Sequence, residues 1–84
     1  MQKINSEHFV EELRNNIASK DAVKARLLLD HFAQVDENAR NRALFEMSRG
    51  EDDFILPILA YMLPRVDELK LNYQKVYTIL LKKL

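Results

Sequence analysis

The chain has 84 residues, no net formal charge, no cysteine and a single glycine. Without cysteine there are no disulfides, thiolate nucleophiles or zinc–thiolate sites, which fits a reducing compartment and a cytoplasmic location. A protein built for nucleic acid usually carries a basic surplus, so balanced charge disfavours that class while leaving room for a local basic strip.

The N-terminal MQKINSEHFVEEL has no apolar signal core, and no stretch is long enough to cross a bilayer. Asn5 is placed to cap a first helix, with Ile4 and Phe9 as the hydrophobic staple around it. Phe9, Val10, Leu13 and Ile17 form its apolar stripe, and Glu7, Glu11 and Glu12 load the early turns with the sign the helix dipole favours. Ser19 or Asp21 caps a second helix carrying Val23, Ala25, Leu27, Leu28, Leu29, Phe32 and Ala33. These cover a wide arc and predict a largely buried helix.

Asp36 opens a third helix, with Glu37 in its first turn and Ala39, Ala43, Leu44 and Met47 on one face. The two alanines allow a neighbour to approach closely. Arg40 and Arg42 lie off this stripe, and Arg49 sits in the last turn. Gly50 follows, where a left-handed residue commonly ends a helix. Third and fourth helices folded on each other at Gly50 are therefore expected.

Asp52 or Asp53 caps the fourth helix, whose run Phe54–Leu63 is apolar apart from Pro57 and the Tyr61 hydroxyl. It reads as buried on most sides, irregular over 53–56, regular from Pro57, and stopped by Pro64. Asp67 caps the fifth, with Val66 and Leu71 as staple. Its stripe is Leu69, Tyr73, Val76, Leu80 and Leu84, widened by Tyr77, Ile79 and Leu81, and Lys82 and Lys83 close it.

Val35-Asp36-Glu37 recurs as Val66-Asp67-Glu68 about 31 residues on, and Asp21 and Leu27-Leu28 match Asp52 and Ile58-Leu59 at the same offset. Helices one, three and five are alike, and so are two and four. A bundle of similar helices can also produce such offsets.

The stretch DENARNRALFEMSRGEDDFILPILAYML, followed by VDELKLNYQKVYTILLKKL, resembles HEAT repeats of the short, roughly 30-residue kind. The marks are Asp36, an arginine at Arg40 or Arg42, Ala43-Leu44, and Pro57-Ile58-Leu59. The likeness is best over residues 36–84 and looser over 5–35. It implies an all-α fold: about five antiparallel helices in one short right-handed α-α superhelix over residues 1–84. The last repeat lacks its second helix. Either the chain is a fragment of a longer protein or the outer side of helix five is covered by something else.

Candidate chemistry is sparse. His8 and Glu12, four apart, make too few ligands for a specific metal site. Asp30 and His31 diverge on a helix, and Glu51-Asp52-Asp53 lacks the spacing and glycine of a calcium loop. A single glycine excludes a Gly-rich phosphate loop. The reading is non-enzymatic, with no cofactor or metal. Arg40, Arg42, Arg49, Lys70 and Lys75 could line one ridge, or form a solvated face balanced by acids. Tyr73 and Tyr77 could be core or interface anchors. The leading expectation is a protein-interaction scaffold that binds a partner, or a second copy, through helix five and the ridge. The alternatives are a nucleic-acid-binding module using Arg40, Arg42, Lys70 and Lys75, or an accessory domain of a bacterial regulatory or signalling protein.

Overall fold

Most helices start where a short polar side chain meets a free backbone N–H. In the computed structural model, which describes residues 5–84, Asn5 accepts from His8 N ahead of α1 (Ser6–Ala18). Asp21 accepts from Lys24 N ahead of α2 (Ala22–Leu29), and Asp36 from Ala39 N ahead of α3 (Glu37–Ser48). Asn72 accepts from Lys75 N ahead of α5 (Tyr73–Lys83). Ile4, the other half of the expected staple, lies outside the described residues. The described residues form five α-helices and two short 3-10 turns, with no strand.

α4 (Asp52–Met62) departs from this pattern and from expectation. Glu51 precedes it without a side-chain cap, and Asp52 and Asp53 lie inside the first turn, where their charge opposes the helix dipole. The helix also runs unbroken through Pro57: Ile55 N donates to Glu51 O at 2.9 Å, already a regular helical bond. Pro57 and Asp53 are both exposed, so the carbonyl left without an N–H donor lies on the wet side. Ile55, Ile58, Leu59 and Met62 face inward while Pro57 and Ala60 face out, so α4 is amphipathic rather than buried all round. At Pro64 the chain tightens into a 3-10 turn, Leu63–Arg65, with Leu63 still helical at φ −55° and ψ −43°. The proline therefore does not push its predecessor out of the helical region.

α2 is shorter than the apolar run suggests, and a 3-10 turn, Phe32–Gln34, follows it. Ala25 and Leu29, four apart, are buried; Val23 and Leu27 are exposed, contrary to the expected wide burial. α5 starts at Tyr73, not after Asp67. Leu69 and Leu71 are both buried, and residues two apart point to opposite sides of a helix. Lys70 takes a left-handed φ of 58° between them, and the chain re-enters a helix only after Asn72.

The left-handed turn expected at Gly50 is made elsewhere. Only Lys20 (φ 56°) and Lys70 have positive φ among the described residues. At Lys20, Lys20 N donates to Ile17 O at 3.1 Å and Asp21 N to Asn16 O at 2.9 Å, a paired closure of α1. Gly50 has a steric reason instead. A Cβ there would sit 2.6 Å from Ile55 Cγ1, 2.8 Å from Ile55 Cδ1 and 3.1 Å from Ile17 Cγ2.

α1 packs on α2 and α3, α2 on α4, and α5 on both α3 and α4. Backbone contact between α3 and α4 is slighter than in any of these pairs, so α3 takes α1 and α5 as its main neighbours rather than the expected partner beyond Gly50. Ala39, Ala43, Leu44 and Met47 of α3 are buried as the stripe predicts, and Phe9, Val10 and Leu13 of α1 join them in one core. Phe9 and Phe32 meet there with ring centroids 6.2 Å apart. The radius of gyration is 11.7 Å, against about 12 Å for a globular chain of this length. Side-chain ties between layers join residues at similar separations. Ser6 bonds Asp36 (3.1 Å), Lys20 pairs with Glu51 (2.8 Å), Tyr61 bonds Asp30 (2.6 Å) and Lys83 pairs with Asp52 (3.0 Å). These partners stand 30 or 31 residues apart in the chain.

Candidate interaction surface

α5 has two apolar faces. Val76 and Ile79 are buried and Leu80 is half-buried; this side packs on α3 and α4. The other side carries Tyr73, Tyr77, Leu81 and Leu84, which are 51%, 61%, 76% and 89% exposed. Their spacing of four, four and three places them in one row along the helix. Tyr73 and Tyr77 stack on each other, with centroids 6.4 Å apart and planes at 23°. The tyrosines are thus not core. The expected inner stripe Leu69–Tyr73–Val76–Leu80–Leu84 separates: Leu69 lies before the helix, and Tyr73 and Leu84 belong to the outer row.

On another side of α5, a groove of about 410 Å³ runs between α3 and α5. Phe45 is its exposed apolar side chain, with the buried Leu44 and Ile79 behind it, and Lys75 and Lys82 stand along its α5 side. It shares Asn41, Leu44 and Asn72 with a second depression that Arg40, Lys70 and Glu37 border. Arg40 and Lys70, far apart in sequence, are thereby brought to one place. Arg40 is partly engaged, since its Nη1 donates to Val35 O. Arg42 is not part of this group; it borders a different hollow with Ser6, Glu7 and Asp36. Arg49 lies over the exposed Phe45 ring at 5.8 Å.

Other charges are committed to holding the layers together. Asp30, at the end of α2, accepts from Tyr61 Oη at 2.6 Å and from Arg65 Nη1 at 2.6 Å. The Tyr61 hydroxyl, with Arg65 beside it, holds the Asp30 carboxyl below its usual range, and the same bond pushes the Tyr61 phenol up. Arg65 also reaches Glu68, and its guanidinium is held more firmly protonated by Glu68 and Asp30. Lys83 is nearly buried, donating to Gly50 O at 2.6 Å and pairing with Asp52 at 3.0 Å. His8 and Glu12 stand 3.6 Å apart on the surface. No group of three or more His, Cys, Asp or Glu that could hold a metal ion occurs among the described residues, and none of their helices is long and apolar enough to cross a membrane.

Sequence reasoning named Tyr73, Tyr77, Arg40 and Lys70 but missed Phe45 and gave Lys82 only a helix-end role. The signal available for the outer row was apolar residues on both sides of a terminal helix, which one neighbouring layer cannot cover. No protein-family model, no curated protein and no solved structure matches this chain.

Proposed function

We propose that the chain is a non-enzymatic protein-interaction module of HEAT-like helical-repeat type, with α5 as its recognition element. The observation that carries this is the outer row Tyr73, Tyr77, Leu81 and Leu84, left open on a helix whose inner side is already packed. Tyrosines suit such a surface because they offer large area with little conformational freedom to lose. The repeat reading is supported by the packing order α1–α3–α5 and α2–α4, and by side-chain ties that join residues 30 to 35 apart, near the offset of about 31 at which the sequence repeats.

A partner protein fits this surface better than a second copy. The open part of the row amounts to on the order of 500 Å², short of the roughly 800 Å² per partner of a stable interface. A partner that reaches beyond the row can supply the remaining area.

The test places a photo-crosslinking side chain at Tyr77 in the native host, then measures binding of the captured protein to the purified chain. Tyr73→Ala/Tyr77→Ala should weaken that binding about tenfold or more with the helical circular dichroism unchanged. Equal binding by the intact chain and the double variant would overturn the reading, and so would a stable dimer at micromolar concentration that buries Tyr77.

A further inference from the structure

We propose that the α3–α5 groove takes an acidic amphipathic helical segment of the partner, with apolar side chains on the floor and carboxylates over Lys75 and Lys82. This rests on the reading of the chain as a protein-interaction module and names the chemistry it selects.

The charged residues that line the groove are of one sign, Lys75 and Lys82. Lys20, Arg65 and Lys83 each pair with an acid, and so does Arg14. Lys75 and Lys82 pair with none among the described residues. From Leu69 to Leu84 the chain carries lysines and no acid. Of the residues bordering the groove and the depression that continues it, only Glu37 is acidic, at the far end beside Arg40 and Lys70. The site is therefore cationic although the whole chain is neutral.

Its spacing suggests the form of the ligand. Lys75 and Lys82 are seven residues apart, about 10.5 Å along the helix axis. A helix lying along the groove would meet them with acids at i and i+7 and would set residues i+3 and i+4 against Leu44, Phe45 and Ile79. Phe45 is 59% exposed, so covering it adds apolar burial that charge alone would not provide. A polyphosphate makes no use of that floor. Nucleic acid is accordingly the less favoured occupant, and binding of DNA is one outcome of the test.

The probe is an 18-residue labelled peptide with Glu at i and i+7 and Leu at i+3 and i+4, followed by fluorescence anisotropy with the intact chain. A matching peptide carries Lys in place of Glu, and a short duplex DNA serves as a polyanion without apolar groups. The Glu peptide should bind and the Lys peptide should not. Lys75→Glu/Lys82→Glu should weaken the Glu peptide at least tenfold and transfer binding to the Lys peptide. Rising salt should weaken the complex without abolishing it, because part of the contact is apolar. Three results overturn the proposal: no binding of the Glu peptide up to about 1 mM, an affinity unchanged by the charge reversal, or duplex DNA binding more tightly than the peptide with the same dependence on the two lysines. The two proposals fail separately. If the charge-reversed chain still binds the partner captured at Tyr77, the groove assignment falls and the α5 assignment stands. If Tyr73→Ala/Tyr77→Ala binds that partner normally while the Glu peptide still needs Lys75 and Lys82, the reverse holds.

Discussion

α1 and α5 flank the same helix, α3, and are used in opposite ways. α1 gives α3 its apolar stripe, with Phe9 and Leu13 wholly buried, and fixes its position with Ser6–Asp36 and Arg14–Glu46. α5 gives α3 one side and leaves an equally apolar row in the open. A helix stacked on one neighbour covers one face. When its other face is also apolar, that face stays in water unless something else covers it.

The widest test of this contrast is to truncate one large side chain on each flank. Phe9→Ala should lose about 3–5 kcal/mol of stability by denaturant titration, because it empties a site packed on Phe32. Tyr77→Ala should stay within about 0.5 kcal/mol. Similar losses at both positions would mean that the outer row is packed in solution and that the contrast is unsound.

Gly50→Ala should cost about 1–3 kcal/mol through overpacking against Ile55. In an Ile55→Ala background the same change should cost little, since the two nearest atoms are gone. A left-handed glycine would show the same penalty in both backgrounds, so the double-mutant cycle separates sterics from backbone conformation.

The two copies of Val-Asp-Glu make a finer comparison. Asp36→Ala should cost about 1 kcal/mol or somewhat more, because it removes the cap of α3 and the bond from Ser6. Asp67→Ala should be nearly silent. Asn72→Ala, which removes the actual cap of α5, should resemble Asp36→Ala. A large effect at Asp67 would restore the longer fifth helix.

The smallest effect is on pH dependence. The folded state depresses the Asp30 carboxyl below its ordinary value of 3.8, so its contribution is complete above that value and is lost as pH falls through the lower folded one. Tyr61 is raised above 10.0, so its contribution is complete below that value and is lost as pH rises through the folded one. Tyr61→Phe should flatten both limbs of a stability–pH profile relative to the wild-type chain.

Local chemistry made several elements legible. Asn5, Asp21 and Asp36 cap where short polar side chains precede apolar periodicity, and the stripe Ala39–Ala43–Leu44–Met47 is buried as written. The fifth helix was misplaced because Asp67-Glu68 is as good a start, locally, as Asp36-Glu37. Burying both Leu69 and Leu71 outweighs it, and that preference exists only once the rest of the core is present to receive them. Of the candidate site, Tyr73, Tyr77, Arg40 and Lys70 were recognisable as residue types, but whether the tyrosines faced inward was not. Arg42 was grouped with Arg40 by nearness in sequence, and a 200° turn of the helix separates them.

Helix content and capping follow from interactions within a few residues, and the amino-acid order specifies them directly. The choice of which α5 face is buried, the steric need for Gly50, and the meeting of Arg40 with Lys70 beside Lys75 depend on side chains contributed by distant segments. Those choices are made only when the layers close. A short helix with two apolar faces has no internal reason to prefer either one.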